Sequence, residues 1–99
     1  MPAKDRAEIL VVDDDPDSLR ALSDLLAADG YRVALASGGR EALRRISSES
    51  RDCVVLDYAM PEVTGFEVLR HLRESGNNTP VVMLSAKSDS YDTVSYTHL

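Results

Sequence analysis

The chain has 99 residues, a formal net charge of −6 and a pI near 4.7, which allows one small domain and argues against a nucleic-acid face, since phosphate neutralisation needs clustered Lys and Arg. Its 43% hydrophobic content is that of a globular protein rather than a disordered one. No apolar run approaches the roughly 20 residues that span a bilayer, the first residues lack a signal-peptide core, and the lone Cys53 excludes an internal disulfide, so a cytoplasmic, reducing location with no membrane partner is expected.

Strands and helices alternate along the chain. Ile9 to Asp13 is a continuous apolar run ending in acid, the pattern of a strand buried on both faces. Asp15 then offers an N-cap oxygen and Pro16 a preset first helical residue. The helix they open carries Leu19, Leu22, Leu25 and Leu26 on one stripe and stops at Gly30. Arg32 to Ala36 alternates as a strand nearer the sheet edge, and Ser37 is placed to cap a second helix with Ala42, Leu43 and Ile46 inward. Cys53 to Asp57 is the third strand, its thiol read as structural. Gly65 to Ser75 forms a third helix with Phe66, Val68, Leu69 and Leu72 inward; Gly76-Asn77-Asn78 stops it, and Val81 to Ser85 is the fourth strand.

This rhythm implies right-handed crossovers and an α/β fold, a doubly wound parallel sheet in the order 2-1-3-4. The first and third strands are then neighbours, and the crevice at their carboxyl ends is where such sheets place ligands. Asp13, Asp14 and Asp57 converge there, with Ser85 one strand further along. Clustered carboxylates cannot all stay ionised cheaply, whereas a divalent cation with oxygen ligands relieves their repulsion. The absence of His or Cys ligands nearby disfavours zinc and favours Mg²⁺. A carboxylate beside such a cation can attack a phosphoryl group, and Asp57 is the candidate nucleophile.

These residues resemble the receiver domain of two-component response regulators, a flavodoxin-like fold. Val11-Val12-Asp13-Asp14-Asp15-Pro16 looks like the family's first acidic motif, Leu56-Asp57-Tyr58-Ala59-Met60-Pro61 with Thr64-Gly65 like its phosphoacceptor loop, and Leu84-Ser85-Ala86 like its switch hydroxyl motif. The resemblance implies that Asp57 accepts phosphate from a sensor histidine kinase or phosphotransfer protein. It implies a metal site of Asp13 (through water), Asp14, Asp57 and the backbone carbonyl of Ala59. Ser85 becomes the switch hydroxyl, and Ala59 and Lys87 the positions that tune the lifetime of the phosphoryl group. The protein is then a phosphoacceptor that catalyses only its own phosphorylation and dephosphorylation, with a homodimer as a further option.

The family pattern continues through a fourth helix, a fifth strand ending in Lys-Pro and a last helix, and the sequence departs from it here. Residues 1–99 are therefore read as a single partial receiver lacking the usual fifth strand and last helix, with residues 94–99 as a non-native tail on a truncated reading frame. A bare edge on the fourth strand, uncovered apolar surface and weakened phosphorylation are the expected consequences. Asp15 and Asp17 are read as a cap and a dipole-complementing charge, His71 as a surface residue, and Arg40, Arg44, Arg45 and Arg51 as solvated. A haloacid-dehalogenase-like phosphatase is disfavoured because Ala59 stands where its second acid belongs. A flavin binder is disfavoured because Asp13 to Asp15 would repel its phosphate. The alternative kept is a truncated or degenerate receiver acting only as an interaction module or without function.

Overall fold

The computed structural model describes residues 6–84 and, as backbone, 93–95. Its elements are β1 (Glu8–Val12), α1 (Pro16–Ala28), β2 (Arg32–Ala36), α2 (Gly39–Ser48), β3 (Cys53–Asp57), α3 (Gly65–Glu74), β4 (Val81–Leu84) and β5 (Thr93–Ser95). The sheet order is β2-β1-β3-β4-β5, with the first four strands parallel. The expected 2-1-3-4 arrangement is therefore present. The expected bare edge on β4 is corrected: β5 pairs with β4 antiparallel, Thr93 opposite Leu84 and Ser95 opposite Val82.

The two sheet faces are covered unequally. On the side of α2 and α3, Leu10, Val12, Val54, Leu56, Val81 and Met83 pack against Ala42, Val68, Leu69 and Leu72, and all are buried. On the other side α1 lays Leu19, with Leu22 and Leu26, over Ile9 and Val11. Cys53 and Val55 of β3 meet that second cluster but stay half-buried, as do Val82 and Leu84 of β4. The continuous apolar runs of β1 and β3 thus serve both layers, as parallel strands require.

Local chemistry fixes the helix ends. Asp15 caps α1 by accepting the Asp17 N–H at 3.3 Å, with Pro16 at the first helical position. At the other end Tyr31 N–H reaches Leu26 O at 3.2 Å and Gly30 N–H reaches Ala27 O at 3.0 Å. This paired closure needs Gly30 at φ +96°, where a side chain would be strained. Helix α3 ends by the same bonds around Gly76.

Three sequence expectations are corrected. Leu25 is 66% exposed and Phe66 46% exposed, so neither belongs to its helix's buried stripe. For α3 the stripe is Gly65, Val68, Leu69 and Leu72, and Phe66 points roughly 110° from its centre. Ser37 does not cap α2: the N-cap is Gly38, without a side-chain bond, and Ser37 instead donates its N–H and its hydroxyl to Glu41 Oε1 at 3.0 and 3.1 Å. Those bonds, the backbone one first, hold the Glu41 carboxyl below its ordinary range. Arg51 is not a solvated arginine, because its side chain is 12% exposed and pairs with Glu8 at 3.2 Å and with Glu49. Among the described residues no helix is long and apolar enough to cross a membrane.

Candidate functional site

The carboxyl ends of β1 and β3 are adjacent, with Val12 opposite Leu56, so the residues that follow each strand meet at one sheet edge. Asp13 follows β1 and continues its ladder by donating its N–H to Ala36 O at 3.2 Å. Asp57 closes β3. Asp13, Asp14 and Asp57 each offer a carboxylate oxygen, and these oxygens all lie within 4.8 Å of one another. Asp13 is buried, Asp57 half-buried and Asp14 exposed, so the cluster opens to solvent through Asp14.

Electrostatics follow from that geometry. Burial, then the charges of Asp13 and Asp14, push the Asp57 carboxyl up to about 6, although the Ala59 N–H bonded to it opposes the rise. Asp13 is also raised, chiefly by burial and then by Asp14 and Asp15, against the pull of the Asp15 N–H that its Oδ1 accepts at 3.0 Å. None of the ion pairs formed among the described residues involves these three carboxylates. Among the described residues the repulsion is therefore left to protons or to a cation. The donor set suits a hard divalent cation: it holds three anionic oxygens and no imidazole or thiolate, and one side is open for water or a further oxygen ligand.

The loop after β3 presents Ala59. Tyr58 O accepts N–H groups from both Met60 and Gly65, each at 3.1 Å, which closes a tight turn centred on Ala59. Met60 is buried and anchors the loop in the core, as its apolar side chain requires. Glu62 holds φ +67°, a conformation L residues adopt at a cost of about 1 kcal/mol, and its carboxylate pairs with Arg40 at 3.1 Å. Ser85 follows Leu84, the register partner of Asp57, but both Ser85 and Lys87 lie outside the described residues.

One supporting pair escaped the sequence reading. Thr64 caps α3 by accepting the Glu67 N–H at 3.2 Å, and the Thr64 N–H in turn donates to Glu67 Oε1 at 3.0 Å. The signal was the Thr64-Gly65-Phe66-Glu67 spacing itself. Thr64→Ala is expected to lower stability by about 1 kcal/mol, seen as a fall in the urea midpoint at unchanged slope. A midpoint equal to the native one would show that the box contributes nothing.

The response regulator receiver domain family matches residues 9–99. The response regulator MprA of Mycolicibacterium vanbaalenii is 48% identical over 79 residues, which are 80% of this chain and 34% of that protein. The alkaline phosphatase synthesis transcriptional regulatory protein PhoP of Bacillus subtilis is 40% identical over 87 residues, 88% of this chain and 36% of that one. The chain thus spans about a third of the length of these relatives. A Francisella response regulator receiver domain superposes with a TM-score of 0.80 at 32% identity, covering 86% of this chain and 71% of that one. The response regulator TrrA of Thermotoga maritima, solved in complex with Mg²⁺-BeF, gives a TM-score of 0.79 at 36% identity, covering 83% and 71%.

Proposed function

Because the chain belongs to the response regulator receiver domain family of two-component signalling, we propose that Asp57 accepts a phosphoryl group from a phosphohistidine on a sensor histidine kinase or phosphotransfer protein, in a Mg²⁺-dependent reaction. The observation that carries this reading is the meeting of three carboxylates, one of them held near pH 6, at the carboxyl edge of β1 and β3. Within the reading, residues 1–99 act as one receiver unit that turns over no other substrate.

Each residue has a task. Asp57 attacks phosphorus through a carboxylate oxygen as the P–N bond to the donor breaks, and the departing imidazole nitrogen keeps that electron pair. The nucleophile must be ionised, and at neutral pH a carboxyl near 6 is mostly so. The Ala59 N–H favours the ionised form of that carboxylate. Asp14, Asp57 and the Ala59 carbonyl are the groups that would hold Mg²⁺ directly, with Asp13 acting through water. When bound, the cation would offset the charge on the transferred oxygens. Ser85 is the hydroxyl assigned to the phosphoryl group once it is in place.

Incubation of the full chain with Mg²⁺ and acetyl phosphate, followed by intact mass measurement, tests the reading. One phosphoryl adduct is expected, lost with EDTA and lost in Asp57→Asn. No adduct, or one that survives Asp57→Asn, sinks the phosphoacceptor assignment and leaves the interaction-module reading.

A further inference from the structure

We propose that Gly65 is a positioning residue for this site, acting through the side chain it lacks; the inference rests on the reading of Asp57 and Ala59 given above. Gly65 is the buried first residue of α3. A Cβ there would stand 2.6 Å from the carbonyl oxygen of Asp57, 2.9 Å from Met83 Sδ and 3.1 Å from Tyr58 Cα. The Met83 sulfur can swing aside, because a thioether chain has several rotatable bonds. The carbonyl cannot: it is main chain and moves only if Asp57 moves.

The same residue reaches the second ligand-bearing segment. Its N–H donates to Tyr58 O, the acceptor that closes the turn around Ala59. One residue therefore packs on the backbone of the nucleophile and bonds to the peptide before the carbonyl ligand. Unlike Gly30 and Gly76, Gly65 has no positive φ, so the requirement is for space rather than for backbone freedom. Alanine would be the better helix former, and only the space argument excludes it.

Two other glycines supply an internal comparison. A Cβ at Gly39, the first residue of α2, would meet Val63 Cβ at 2.6 Å and Val63 O at 2.7 Å, equal crowding against the far end of the same loop. A Cβ at Gly38 would meet nothing within 4 Å. Gly39→Ala thus reports plain destabilisation, and Gly38→Ala the substitution itself.

The test uses the full chain in native, Gly65→Ala, Gly39→Ala and Gly38→Ala forms. Melting is followed by circular dichroism, Mn²⁺ affinity by water-proton relaxation, and phosphoryl uptake from acetyl phosphate by intact mass. TMAO keeps the least stable variant folded. Gly65→Ala and Gly39→Ala are both expected to melt below the native chain, while only Gly65→Ala weakens Mn²⁺ binding, and slows uptake, by about tenfold or more. Gly38→Ala, which places a poorer N-cap residue on α2, should melt slightly below the native chain and bind Mn²⁺ as the native chain does. Equal Mn²⁺ affinity in Gly65→Ala and Gly39→Ala overturns the proposal. So does a Gly65→Ala chain that stays unfolded in TMAO where Gly39→Ala folds, since the residue then serves the fold. A native chain that binds Mn²⁺ but takes no phosphoryl group defeats the phosphoacceptor reading alone, and the Mn²⁺ affinities still decide the role of Gly65. A native chain that binds no Mn²⁺ defeats both.

Discussion

In EDTA at pH 8, Asp57→Asn melts above the native chain, and added Mg²⁺ reverses the order. The sign comes from linkage. The folded-state value of Asp57 is raised to about 6, above the range of an unfolded carboxyl, so the folded protein holds this proton more tightly than the unfolded one. Its contribution to stability is fully present below about pH 4 and is lost as pH rises through about 6. Asp13, raised in the same direction, adds to the trend. Asparagine cannot ionise, and its amide keeps the shape, so the variant escapes the loss. A shift of about two units corresponds to nearly 3 kcal/mol; solvent reaching a half-buried group reduces this to about 1–2 kcal/mol, on the order of 5–10 °C in melting temperature.

Two features make the experiment discriminating. Near pH 3 the native chain and the variant should converge, because Asp57 is then largely protonated in both the folded and the unfolded state. Glu41 titrates in the opposite sense, being lowered in the folded protein and losing its contribution as pH falls, but it does so equally in both chains and cancels from the difference. A cation that binds only the folded state raises the native melting temperature with concentration, whereas the variant has lost one of three carboxylates and should respond weakly. An Asp57→Asn chain that melts at or below the native one in EDTA at pH 8 would show that burial and the neighbouring carboxylates do not raise Asp57 in the folded protein.

Much of this arrangement was legible because parallel strands buried on two faces leave unbroken apolar runs, and the acid that ends each run is then conspicuous. Asp13, Asp14 and Asp57 needed only the strand order to be brought together. The sequence reading misplaced Leu25 and Phe66 because their stripes were drawn one position too wide. Each lies beside an apolar neighbour on the helix, but the helical period sets it roughly 90–110° from the centre of its stripe, and packing leaves it outside. Arg51 was misread for another reason: Glu8 lies 43 positions away in sequence, and no local pattern announces that pair. The pairing of Thr93 to Ser95 with β4 was equally silent, since three residues carry almost no periodic signal. The space demanded at Gly65 belongs to the same class. A glycine after threonine reads as a helix start, and the carbonyl it must clear is visible only once β3 and α3 are docked.

The largest stability effect should come from Leu56, the residue before Asp57. Leu56→Ala is expected to cost about 3–4 kcal/mol, a large share of what a domain of this size holds in reserve. Leu56 is fully buried, paired in register with Val12 on one side and Met83 on the other, in the layer that α2 and α3 cover. Truncation leaves a void that strands on both flanks prevent from collapsing, so the cavity adds to the lost transfer energy. Leu25→Ala deletes the same atoms from a side chain 66% exposed and should change stability by no more than about 0.5 kcal/mol. The contrast carries to the site. Asp13 and Asp57 face each other only because β1 and β3 hold their register, so in Leu56→Ala the Mg²⁺ response should scale with the folded fraction and rise as urea is withdrawn. Urea titrations of the two variants, with and without Mg²⁺, measure both effects; equal midpoints for Leu56→Ala and Leu25→Ala would mean that burial on β3 does not govern the stability of the edge that carries Asp57.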